Sequence, residues 1–259
     1  MKRLVRTVFD RLGVEISSRR PTLQELQQGP RGATAGKIVE FIGPQGVGKS
    51  TLSDAAYPRI KDNWFCRTDL TRPGPSATRH PALEELHKAI FLHHMETLQT
   101  PETDPWHCLK NTSQMVQVIA ENLTMMSHDF ARGFFLDEGM VKNLPDAVLT
   151  QSATTPELIW PNRAFIYLDA RDPNCVLERY KKRFEERKAR GLPQRQTPDD
   201  ILRARIARDR DMFARVLDMA HQFDCPILTL DAEDPHDTNL TRILDFDRDL
   251  RRGYEGQGH

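Results

Sequence analysis

Short apolar runs alternate with amphipathic stretches along most of this chain, and that alternation sets the expected architecture. Lys37–Ile42, Trp64–Thr68, Gly133–Leu136, Ala164–Leu168 and Pro226–Leu230 are compact, largely apolar, β-rich runs, the pattern of strands buried on both faces. Between them, apolar residues recur at helical spacing over Lys49 to about Ile60, Leu83 to about Leu98, Ser113 to Phe130, Pro173 to Arg190, Asp199 to Phe223 and Asp237 to Leu250. Five strands separated by helices predict right-handed crossovers. The expected fold is therefore α/β, with a five-stranded parallel sheet covered by helices on both faces.

Upstream of Lys37 the pattern changes. Leu4, Val5, Val8, Phe9 and Leu12 predict a short amphipathic helix over Met1 to Val14, with Lys2, Arg3, Arg6 and Arg11 on its other faces. Ser17 to Gly36 is polar and carries Pro21, Gly29, Pro30, Gly32 and Gly36, the composition of a linker. The expected organisation is a helical arm and linker over 1–36, a main domain over 37–250 with a helical lid at about 171–197, and a tail over 251–259.

The segment Gly43-Pro44-Gln45-Gly46-Val47-Gly48-Lys49-Ser50-Thr51 fits G-x-x-x-x-G-K-[ST] at every required position, directly after one predicted strand and at the start of a predicted helix. Glycines let successive backbone N–H groups curl around a phosphate, and the helix adds the positive end of its dipole. Lys49 is expected to reach the β- and γ-phosphates, Ser50 to ligate Mg²⁺, and Thr51 to lie near the α-phosphate. The fold class sharpens to a P-loop NTPase fold. A P-loop serves kinases, GTPases, ATPases and sulfotransferases alike, so the rest of the chain must choose.

Composition narrows the choice. Lys plus Arg and Asp plus Glu number 37 each, so the net charge of zero argues against a globally basic nucleic-acid binder. Cys66, Cys108, Cys175 and Cys225 form no Cys-x-x-Cys pair, so neither a zinc ribbon nor a redox dithiol is signalled. No run approaches the roughly 20 apolar residues of a membrane span. The N-terminus lacks a secretory pattern, and the expected location is cytoplasmic. Nothing in the pattern decides between a monomer and a homodimer, or whether the arm has a protein partner.

Three features around the loop point to phosphoryl transfer. Asp69 and Arg72 follow the second strand, where ligands of a doubly wound sheet sit, and supply a carboxylate for a hydroxyl proton and a fork for an anion. A turn cap before Pro73 is the competing role for Asp69. Asp137 and Glu138 end the third run, where Asp137 is the expected Mg²⁺ ligand and Glu138 an acceptor-side group. Arg179, Arg183, Arg187 and Arg190 then form a stripe on one helix face, suited to closing over donor phosphates. Phe134-Phe135-Leu136-Asp137-Glu138 also resembles the acidic strand end of regulatory ATPases, which keeps that alternative open; the Asn/Thr-Lys-x-Asp segment of GTPases is absent.

In this order, the P-loop, Asp69-x-x-Arg72, Phe-Phe-Leu-Asp-Glu and Tyr167-Leu168-Asp169-Ala170 followed by Leu177-Glu178-Arg179-Tyr180-Lys181-Lys182-Arg183 are similar to the nucleoside and nucleoside-monophosphate kinase superfamily over roughly residues 37–232. The resemblance implies an ATP- and Mg²⁺-dependent kinase acting on a small-molecule acceptor. In it Asp69 is the base, Asp137 or Glu138 assists the metal, and Arg179 or Arg183 contacts phosphate. Thr71-Arg72-Pro73-Gly74 looks like the acceptor loop of thymidylate kinases without their glutamate, and deoxynucleoside kinases carry Glu-Arg where this chain has Asp137-Glu138. The acceptor thus stays open among nucleosides, nucleotides, sugars and other metabolites. His87, His93 and His94, Trp160 and the charges of Arg203, Arg205, Arg208 and Arg210 are expected to be structural or solvent-facing, and Tyr180 core rather than an adenine platform.

Overall fold

The computed structural model describes residues 23–28, 31–70, 80–98, 105–191 and 197–255. Arg72, the helix expected over 1–14 and residues 192–196 of the expected lid lie outside the described residues. Within them the chain runs α1 (Leu23–Gln27), β1 (Ile38–Ile42), α2 (Lys49–Ile60), β2 (Trp64–Cys66), α3 (Pro81–Leu98), α4 (Pro105–Ser127), β3 (Gly133–Leu136), α5 (Met140–Asn143), α6 (Pro145–Ser152), β4 (Arg163–Asp169), α7 (Pro173–Ala189), α8 (Asp199–Gln222), β5 (Ile227–Asp231) and α9 (His236–Glu255). The five strands form one all-parallel sheet in the order β2-β3-β1-β4-β5.

Side chains alternate across this sheet because successive strand residues point to opposite faces. Val39 and Phe41 of β1 and Ala164, Ile166 and Leu168 of β4 enter one core with Leu52, Ala56 and Ile60 of α2 and Leu240 and Ile243 of α9. Ile42 and Phe165 enter the other, against Leu86 and Ile90 of α3, Met115 and Val118 of α4 and Phe213 and Val216 of α8. Such apolar residues contribute roughly 1.5–3 kcal/mol each on full burial. A third cluster under β2 and β3 packs Phe65, Phe130 and Phe134 with Leu26 of α1.

Four elements differ from the sequence pattern, the first being α4, which begins at Pro105 rather than Ser113. Residues 31–36, expected to be linker, carry buried Thr34 and Ala35, and Leu26 is 2% exposed. Leu26 and Ala131 join by a backbone hydrogen bond, so a segment with few apolar side chains is held by main chain. The α5–α6 pair was not expected, since four and eight residues are too short to establish a helical period, although Pro145 at the start of α6 is a standard helix-opening residue. α9 continues to Glu255, into the expected tail.

Candidate functional site

β1, β3 and β2 are neighbours, so the loop after Ile42, the acidic turn after Leu136 and the 3₁₀ turn Arg67–Asp69 all leave the same end of the sheet. This is where parallel sheets place their ligands. In the loop, Gly43, Gly46 and Gly48 have φ of 128°, 91° and 105°, a region closed to most side chains, and a Cβ at Gly43 would collide with the Leu168 carbonyl. Lys49 Nζ donates to the Gly43 and Pro44 carbonyls at 2.7 Å each and is almost fully buried. That burial, then the Lys142 charge, pulls its pKa down to about 7 against the opposing pull of Glu138, Asp209 and Asp137. Ser50, next along, is exposed.

The acidic turn is set from beneath by Glu40, the one charged residue of β1. Glu40 is fully buried, and its Oε1 accepts from the Lys142 N–H at 2.5 Å while Arg163 lies 3.4 Å from Oε2. Burial pushes its carboxyl up; Arg163 and the N–H groups of Lys142 and Val141 oppose this. The network continues inward. Arg163 donates to Asn122 Oδ1 at 2.6 Å, and Asn122 meets His87 at 2.7 Å, so the histidine singled out as structural is one end of a buried polar chain. Burial first lowers the His87 pKa, to about 4, which keeps the ring neutral.

Above Glu40, Gly139 passes so close that an added Cβ would stand 2.5 and 2.7 Å from the carboxylate oxygens. Glu138 pairs with Lys142 at 2.8 Å. Burial opposes ionisation of Glu138, but Lys142, with Arg67 and Lys49, outweighs it and holds the carboxyl below its usual range. Asp137 is half-buried and makes no hydrogen bond or ion pair among the described residues. The donor set of Ser50 hydroxyl and Asp137 carboxylate is all oxygen and suits Mg²⁺, which keeps water and phosphate oxygens as most of its ligands. No cluster of three or more His, Cys, Asp or Glu capable of holding a metal occurs among the described residues.

Asp69 does cap its turn. Its Oδ2 accepts from Tyr57 Oη at 2.6 Å and from the Cys66 N–H at 2.8 Å. Tyr57 is held protonated by burial and then by this bond, its pKa raised far above the ordinary phenol. Arg67 ties the same turn to α4 through Glu121 at 2.6 Å. Oδ1 of Asp69 takes part in neither bond, so the cap fixes the carboxylate at the strand end without consuming it.

A cavity of about 470 Å³ adjoins the loop, walled by Gly46, Gly48, Thr51 and Leu52, by Arg179, Tyr180 and Arg183 of α7, and by Ala232 and Asn239 at the end of β5 and start of α9. α7 is aimed by Pro173 in its first turn and the Asp172 carboxylate, which accepts from the Asn174 N–H at 2.9 Å. Arg179 reaches back to donate to Val47 O at 2.7 Å and Ala232 O at 2.6 Å, stitching the loop to β5. Both carbonyls are protein groups, so Arg179 braces the loop in this state, whereas Arg183 lines the cavity without a bond among the described residues. Tyr180 lines it too, and Trp160, fully buried, stacks on Phe223 at the far end of the sheet.

The residues that sequence reasoning passed over are Glu40, Lys142 and Asn239, while the charges of α8 around Arg210 were expected to face solvent. A glutamate inside Ile38–Ile42 was the available signal for the first. Arg210 is not solvent-facing: it pairs with Asp169 at 2.9 Å and donates to Ala170 O, while Asp209 accepts from the Gln45 N–H at 3.4 Å. The helix-wheel pattern of α8 alone could not show this, because the partners lie on β4 and the loop.

No protein-family profile matches the chain, and no curated protein does. Among solved structures it is similar to the deoxyadenosine kinase of M. mycoides with bound dATP, at 15% identity over 81% of this chain and 97% of that one, with a TM-score of 0.41. It is also similar to a gluconokinase from Sinorhizobium meliloti 1021, at 13% identity over 87% and 99% of the two chains, with a TM-score of 0.39.

Proposed function

We propose that this chain is an ATP-dependent kinase that transfers the γ-phosphoryl group to a hydroxyl or phosphate of a small-molecule acceptor. The observation that carries the reading is the convergence at one sheet end of a complete glycine cradle, the buried Lys49 amine and an Asp137 carboxylate unpaired among the described residues, beside a cavity large enough for a nucleoside. The loop N–H groups and Lys49 would bind the triphosphate, Lys49 exchanging its two carbonyl partners for phosphate oxygens. Ser50 and Asp137 would hold Mg²⁺, which supplies charge neutralisation on the β- and γ-phosphates. An acceptor oxygen then bonds to the γ-phosphorus as the bridging P–O bond to the β-phosphate breaks. For a hydroxyl acceptor, its proton passes to Asp69 Oδ1, and the bonds from Tyr57 and Cys66 keep that oxygen aimed. Glu138, fixed by Lys142, would face the acceptor, and Arg183 would supply positive charge from the lid side.

Calorimetric titration of the chain with magnesium ATP tests the donor half. Binding to the native chain and its loss in Lys49→Ala, with unchanged thermal unfolding, is the expected result; equal heat from both chains would remove the loop from the mechanism.

A further inference from the structure

We infer that Arg67 is a specificity-determining residue whose open guanidinium edge holds an oxyanion, a phosphate or carboxylate, carried by the acceptor. The inference rests on the kinase reading above and adds to it the chemical class of the acceptor.

The two sides of the loop differ. The cavity of about 470 Å³ lies toward α7 and the end of β5, so a donor nucleoside fills that side. The acceptor then has to approach from the β2 and β3 side, where Asp69 and Glu138 stand. Arg67 opens the same 3₁₀ turn that Asp69 closes. Its charge helps hold the Glu138 carboxyl low, as does that of Lys49, although no ion pair joins Arg67 to Glu138 among the described residues. The guanidinium therefore shares the space beyond the strand tips with the loop lysine, and a gap separates it from Glu138.

That guanidinium is pinned on one edge and open on the other. Nε donates to Glu121 Oε2 at 2.6 Å, and Glu121, 8% exposed, is itself oriented by Gln117 Nε2, which donates to Oε1 at 2.8 Å. A carboxylate buried in this way adds little net stability, and what it secures here is the direction of the guanidinium. The Arg67 side chain is 23% exposed, and its two Nη groups make no hydrogen bond among the described residues and stay accessible to water. With Nε taken, the Nη1–Nη2 edge presents two parallel N–H donors, the planar fork that meets two oxygens of a carboxylate or phosphate at once. The lysines of this sheet end are already engaged. Lys142 bonds Glu138 at 2.8 Å and Asn143 at 3.2 Å, and Lys49 serves the donor phosphates. An acceptor hydroxyl needs only Asp69 for its proton, so the fork is matched to a second, anionic group on the same molecule or to an acceptor phosphate itself.

The test gives the full chain γ-labelled ATP, magnesium and acceptors in matched pairs: sugar phosphates against free sugars, sugar acids against their parent sugars, and nucleoside monophosphates against nucleosides. In the native chain the anionic member of one pair should be used with a kcat/KM roughly 10- to 100-fold above that of its uncharged counterpart. The pair that responds tells phosphate from carboxylate. In Arg67→Met, whose stem covers the same surface, the ratio should fall to about one, through a raised KM for the anionic acceptor. Arg67→Lys keeps a charge against Glu121 and loses the fork, so it should still lower the ratio about 5-fold or more, and it decides the matter if the methionine variant fails to fold. A brace to α4 alone would be rescued by lysine and would affect both members equally, leaving the ratio intact. That result overturns the inference and leaves the kinase reading standing, as does a native chain that uses uncharged acceptors as well as their anionic counterparts. Label on no acceptor in any pair would instead overturn the kinase reading, and the inference with it.

Discussion

Adding a single methyl group at Gly139 tests how the acidic turn is positioned. The Gly139 φ of −106° is open to alanine, so the backbone itself is not strained by Gly139→Ala. What the methyl meets is Glu40, at 2.5 and 2.7 Å from the two oxygens, well inside ordinary contact. The carboxylate must retreat from the N–H of half-buried Lys142 and from Arg163, which lies with it in the interior. Breaking a buried pair outright costs about 3–5 kcal/mol, and this partial displacement should cost about 2–4. At roughly 2–4 °C per kcal/mol for a chain of this size, thermal unfolding should move down by roughly 5–15 °C. Glu40→Asp withdraws the carboxylate by one methylene and opens room for the methyl. The double variant should therefore be at least about 1 kcal/mol more stable than the sum of the two single losses. Unfolding measured on all four chains decides it. Additivity within roughly 0.5 kcal/mol would refute the contact as the cause.

Three further outcomes are expected. Because Lys49 sits at about 7 when its partners are two carbonyls, a triphosphate that restores the usual ammonium range should draw in close to one proton per nucleotide near pH 8 and little near pH 6. Calorimetry of magnesium ATP binding in buffers of different ionisation heat measures this uptake, and Lys49→Met should abolish it. Arg179→Met, which frees Val47 O and Ala232 O, should raise the ATP KM by about 10-fold or more while leaving binding of inorganic triphosphate within about 2-fold. Equal weakening of both would place Arg179 on the phosphates. Asp69→Asn should lower kcat by roughly 100-fold or more with nucleotide affinity unchanged, and a change in unfolding temperature alone would leave it a turn cap.

The parallel strands and the glycine loop were legible because buried parallel strands read as apolar runs and the loop is a contiguous motif whose residue types are imposed by φ and charge; the strand order β2-β3-β1-β4-β5 was not. Asp69, Asp137 and Arg179 were singled out from position alone, being placed after predicted strands or on the predicted helix over Pro173 to Arg190. Their partners were not. Glu40 meets Gly139 across two strands, Asn122 joins His87 to Arg163 across the sheet–helix interface, and Asn239 donates to the Asp231 carbonyl. Each is a tertiary contact between segments distant in sequence or on different elements, which local periodicity does not encode. The bracing bonds of Arg179 escaped for the same reason, since a stripe of arginines looks alike whether it faces phosphate or a carbonyl.

The central claim is transfer rather than hydrolysis, and its direct measurement is the fate of a γ-labelled ATP incubated with the chain, magnesium and a panel of nucleosides, nucleotides and sugars. The account predicts label joined covalently to one class of acceptor, at a rate lost in Lys49→Ala. Label released only as free phosphate whatever acceptor is present would contradict it and favour the regulatory ATPase.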